Sequence, residues 1–165
     1  MELRRIPSGA LAGTLAAAVW AAQQPLDKRL FGSDYDDVEL LGKLLPLDGG
    51  NRAAGLGLHL ANGAAFGAFY TLLRPLIPGP PQTAGPVAGL AEHLATWPLI
   101  GLIDKSLASD RRVFLQSAWR HLLFGLVLGE LERRLNPVDA FEPLEQVPVS
   151  SNGHGDIELA VGAAT

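Results

Sequence analysis
The stretch 83–105, TAGPVAGLAEHLATWPLIGLIDK, carries only Glu92 and His93 as ionisable groups before Asp104. At about 1.5 Å per residue, the run 83–103 reaches about 30 Å as a helix, the thickness of a bilayer's hydrocarbon core. A helix of that length with a carboxyl and an imidazole near its middle needs a polar interior to face. The stretch therefore reads as a membrane-spanning helix packed against partners that carry matching polar groups.

Working outward, residues 53–73, AAGLGLHLANGAAFGAFYTLL, form a second apolar run, closed by Arg74 and Pro75. The link PLIPGPPQ is too short to hold a domain, so the two helices are expected to be antiparallel neighbours. Beyond 105, Ser109 or Asp110 is placed to cap a helix over 113–131, which ends at Glu132, Arg133, Arg134, Asn136 and Pro137. At the other end, Arg4 and Arg5 precede an apolar run over 6–22. That layout suits a secretory signal peptide or a short first membrane helix equally. Between 22 and 53, Ser33 and Asp36 have capping spacing, and Val38, Leu41, Leu44 and Leu45 follow at helical intervals, predicting a short amphipathic helix at the membrane interface. Residues 138–165 are acidic, contain Pro143, Pro148 and the run SSNGHGD, and lack apolar periodicity, so a disordered tail is expected.

The fold class that follows is all-α: a four-helix transmembrane bundle over 1–137, with spans at about 6–22, 53–73, 83–103 and 113–131. Composition agrees with one compact apolar unit: 165 residues, 48% hydrophobic and 18% charged, with 19 Gly and 12 Pro for irregular connections. A net charge of −4, with 13 scattered Lys and Arg, argues against nucleic acid as a partner. The absence of cysteine removes disulfides, thiolate metal sites and cysteine nucleophiles. Mean hydropathy, +0.20, is modest for a membrane protein because polar connections and the tail dilute the apolar runs.

The chain contains an internal repeat. Gly9, Gly13, Trp20, Asp27 and Lys28 align with Gly85, Gly89, Trp97, Asp104 and Lys105 when one residue is inserted before the tryptophan. The second and fourth helices share H-L-x-x-G-x-x-x-G, as His59, Leu60, Gly63, Gly67 and His121, Leu122, Gly125, Gly129. The halves are thus two tandem helical hairpins about a pseudo-two-fold axis, which argues that the first helix stays attached. Every helix carries G-x-x-x-G: Gly9 and Gly13, Gly63 and Gly67, Gly85 and Gly89, Gly125 and Gly129. In lipid, such ridges let backbones approach and gain dispersion contacts. A soluble bundle would have to tolerate these mid-helix glycines at about 1 kcal/mol each.

His59, His93 and His121 each continue the glycine ridge of their own helix at steps of four, so they face inward and fall into one layer. Glu92 lies near the same face, Arg120 is its expected ion-pair partner, and Asn62 and Tyr70 are placed to join the network. Pro98 frees the carbonyl of Leu94 as one more acceptor. Three uses stay open. The layer is a structural register pin; or Glu92 and the histidines line a proton or solute path; or His59, His93 and His121 hold haem or a transition metal. No C-x-x-C-H or H-E-x-x-H occurs, and no G-x-S-x-G supports a hydrolase, so no catalytic residue is assigned and the reading leans away from an enzyme. The expected partners are the lipid bilayer, and the chain itself or another membrane protein.

The Ala/Gly-rich third helix running into P-L-x-G-L at Pro98 to Leu102, with His121, Leu122 and the charged end 130–134 on the fourth, resembles the YagU-like uncharacterised bacterial inner-membrane proteins. The resemblance covers the four spans and implies a multi-pass inner-membrane location. It implies no reaction.

Overall fold
The protein is described here by a computed structural model covering residues 5–44 and 51–137. The expected disordered tail, 138–165, lies outside the described residues, as does Leu45. All regular structure among them is helical.

Helix α1, Ile6–Phe31, ends at Gly32, whose φ of 60° gives the left-handed cap that returns its N–H to the Lys28 carbonyl. The sequence reading stopped this helix at 22. The helix instead runs through Gln24 and Asp27, both buried. Pro25 removes only one backbone hydrogen bond, too little to end a helix held by inward-facing polar groups. Helix α2, Asp37–Lys43, forms in the first connection with Asp36 as its cap, the carboxylate accepting from the Glu39 N–H. It lies against α3, Arg52–Leu73, with Gly42 at Gly55; a Cβ on Gly55 would run into the Val38 carbonyl. The Asn51 side chain caps α3 by accepting from the Ala53 and Ala54 N–H groups. A 3-10 turn, Arg74–Leu76, leads to α4, Pro81–Ile103, which continues through Pro86 and Pro98. Asp104 caps the short α5, Lys105–Ser109, and Asp110 caps α6, Arg111–Leu135, accepting from the Arg112 N–H.

Among the long helices three pairs pack: α1 on α3, α4 on α6, and α1 on α6. The sequential hairpins are therefore real, and one seam joins them. Helices α3 and α4 barely meet, which leaves an open cleft where a symmetric pair of hairpins would place a second seam.

The glycine ridges lie where the hairpins close. A Cβ on Gly13 would strike the Gly63 carbonyl, and one on Gly9 or Gly67 would strike the facing helix in the same way. In the second hairpin Gly85 sits on the Gly125 carbonyl and Gly89 on that of His121. Sequence alignment makes Gly85 the mate of Gly9, yet its packing is that of Gly13. The second hairpin has slipped by one helical turn, about 5.4 Å. A ridge of small residues spaced by four fits equally well after such a slip.

Strongly polar side chains are buried while many leucines face outward. Arg120 and Gln116 are fully buried, as are Asp27, His93 and Ser117 to within 1%. Leu102 is 82% exposed and Leu26 69%, and Leu11, Leu94, Leu99, Leu122 and Leu126 also point outward. The apolar core is small: Ala12, Ala16, Ala17, Trp20, Tyr70, Phe124 and Leu128. Among the described residues, one helical run, Arg52–Leu76, is long and apolar enough by composition to cross a membrane.

Candidate functional site
The centre of the molecule is Arg120. Its position on α6 turns it toward α1, where Nε and Nη2 donate to the two oxygens of Asp27 at 2.6 and 2.7 Å. Nη1 donates to Asp37 Oδ2 at 2.5 Å, and Nη2 also reaches the Tyr35 carbonyl at 3.0 Å. The guanidinium lies 5.3 Å from the centre of the Tyr35 ring, within cation–π range. The fork of Arg120 is thus matched by two carboxylates and a carbonyl, the geometry in which arginine binds best. Gln116, one turn earlier on α6, donates to Asp27 at 2.6 Å, and the Trp20 indole donates to Asp37 at 2.9 Å.

This corrects the expected pairing of Arg120 with Glu92. Positions 120 and 121 point about 100° apart on a helix, so His121 can face one neighbour while Arg120 faces another. Glu92 is half-buried and makes no ion pair among the described residues. Its polar neighbour is Asn62, which is exposed rather than part of a buried network.

The three histidines do meet in one layer. Trp20 stands between His59 and His121, with ring centres 5.3 and 4.6 Å away, and His93 lies 5.0 Å from His121. His59 Nε2 donates to the Ala17 carbonyl at 3.1 Å and His121 Nδ1 donates to the Ser117 carbonyl at 2.8 Å, which fixes both tautomers. His93 Nδ1 shares a 3.2 Å hydrogen bond with the Ser117 hydroxyl, and its Nε2 is buried without a partner. Tyr70 is also buried, with its hydroxyl unpartnered, away from this layer. Leu94, whose carbonyl Pro98 frees, is on the outer face.

Trp20 packs edge-on against both His59 and His121. Among the described residues no three His, Asp or Glu side chains converge as a ligand set.

Sequence reasoning missed Asp27, Asp37, Tyr35, Gln116 and Ser117. The available signal was Gln116 and Arg120 at i and i+4, two strongly polar groups on one face of an otherwise leucine-rich helix.

The α2 cap is a second charged cluster, near the helix ends. Asp36 bridges Lys28 at 2.9 Å and Arg52 at 3.1 Å. Burial pushes its carboxyl up, but the hydrogen bonds from Lys28 and the Glu39 N–H outweigh this and hold it below the ordinary range. Asp37 is likewise held low, because the Arg120 charge and the Tyr35 and Trp20 donors overcome its burial. A carboxyl depressed on folding contributes stability that is present above its unfolded value, about pH 4, and is lost as pH falls through the folded value. The unfolding midpoint is therefore expected to drop below about pH 4, and Asp36→Asn to give a lower but flatter profile there. An unchanged acid limb in Asp36→Asn would remove Asp36 from the titration.

No protein-family model, curated protein or solved structure matches the chain. The class defined here is therefore that of the fold and site alone: an all-helical pair of glycine-packed hairpins joined by a buried arginine–dicarboxylate centre.

Proposed function
We propose that the chain is a four-span membrane bundle of the inner membrane, and that its polar centre is structural: Arg120, Asp27 and Asp37 fix how the two hairpins meet. Such a bundle serves as a scaffold or as a partner for another membrane protein. The observation that carries this reading is that arginine, aspartate, glutamine and histidine side chains are buried while many leucines are exposed. In water that arrangement would expose apolar surface while desolvating charges; in lipid both choices are favourable. Among the described residues only one helical run reaches span-like mean hydropathy because the inward polar groups lower the average of the others, as Gln116, Arg120, His121 and Glu132 do in α6. The resemblance to the YagU-like inner-membrane proteins points the same way.

A conducting role is less well supported. Asp27, Asp37 and Arg120 are spent on one another, so Glu92 and the histidines would have to serve a path.

The test is fractionation. The expressed chain is expected to sediment with membranes through carbonate and high salt, and to be released by detergent. Recovery of folded chain in a detergent-free soluble fraction would overturn the membrane reading.

A further inference from the structure
Two cavities open along the cleft between α3 and α4, here called its two lobes, and Glu92 lines both. One lobe, of about 210 Å³, is lined by polar and aromatic groups that include Trp20, Asp37, His59, Asn62 and His121. The other, of about 410 Å³, is almost wholly apolar, with Phe66, Phe69, Tyr70, Leu73, Val87 and Ala91 on its walls. Small residues make this room: Ala88, Ala91 and Ala95 line the α4 side at helical spacing.

We infer that this cleft is a binding site for a lipophilic amine, with the ammonium group at Glu92 and the apolar body in the larger lobe. Charge complementarity carries the choice of ligand. Among the described residues Glu92 stands on the cleft wall without an ion-pair partner, and no lysine or arginine lines either lobe. The Arg120 guanidinium is committed to Asp27 and Asp37. A carboxylate against apolar walls is stabilised by a cation brought in from outside, and an ammonium donates to it directly. The second carboxylate at the polar end, Asp37, makes an anionic ligand still less favourable there. The larger lobe with Glu92 at its edge follows the usual pattern of small-molecule sites, mostly apolar walls with few placed polar groups. This inference goes beyond the scaffold reading and does not depend on it.

Octylamine is the probe and octanol its neutral counterpart. The full chain in nanodiscs of zwitterionic lipid is dialysed against each, with empty nanodiscs subtracting partition into lipid. Octylamine is expected to show a saturable component of one per chain that Glu92→Gln weakens about tenfold or more, the scale of a lost hydrogen bond to a charged group. Ala91→Trp, which fills the apolar lobe, is expected to abolish it. Octanol is expected to show no component sensitive to Glu92→Gln. Amine binding that survives both substitutions, or octanol binding as well as octylamine, overturns the site. Should Glu92→Gln fail to fold, Ala91→Trp and the comparison with octanol decide. If the chain proves soluble without detergent, the same dialysis runs in buffer, so loss of the membrane reading leaves this test intact.

Discussion

Arg120→Leu is expected to destabilise the folded chain by about 3–5 kcal/mol, because it strands the Asp27 and Asp37 carboxylates in the interior. Arg120 and Asp27 are both fully buried at the side chain, so water cannot replace the lost partner cheaply. Asp27→Asn should cost less than Arg120→Leu, since Asp37 still neutralises the guanidinium. The double substitution Asp27→Leu with Arg120→Leu should recover part of the loss, since Asp27 is no longer stranded while Asp37 still lacks its cation. Unfolding of the detergent-solubilised protein, read by loss of near-UV aromatic signal from Trp20, measures all of these. Glu92→Gln is expected to fall well below Arg120→Leu on the same scale. If Glu92→Gln were as damaging, the cation would be paired with Glu92 after all.

The second large effect concerns glycines that differ only in what faces them. Gly57 has open space where a Cβ would go, and Gly57→Ala should be neutral or stabilising by up to about 1 kcal/mol through helix propensity. Gly13→Ala and Gly85→Ala gain the same propensity, yet each new methyl meets a facing backbone carbonyl, at Gly63 and Gly125 respectively. Backbone cannot swing aside as a side chain can, so each should lose about 1–3 kcal/mol net, and leucine at either position more. The paired comparison separates contact from propensity. Equal effects at positions 57 and 13 would mean that the hairpins do not close on their glycines.

Periodicity made the hairpins legible before any coordinates. A glycine every fourth residue on each of four runs states which faces meet, because nothing else in those helices permits such close approach. It does not state the register. A ridge with one small residue per turn presents nearly the same surface after sliding by a turn, which is why Gly85 occupies the place its alignment gave to Gly89. The histidine layer was also readable, since His59, His93 and His121 extend the same ridges.

The arginine's partners were hidden for a different reason. Gln23, Gln24, Pro25, Asp27 and Lys28 have the composition of a connection, and only tertiary packing reveals that α1 continues through them. Once the helix was ended at 22, Asp27 could not be placed in the interior, and Glu92 was left as the available carboxylate. Asp37 was hidden likewise, because only tertiary packing shows that α2 lies on α3 and turns its first residue to Arg120.

The linkage of Asp27 to Arg120 also bears on how the chain is made. The two residues are 93 positions apart, on the first long helix and the last. During synthesis α1 and α3 can close on their glycines as soon as both exist, for that contact is local and uncharged. Asp27 lacks its arginine until α6 leaves the ribosome, so the pair that joins the two halves forms only once the last helix is made.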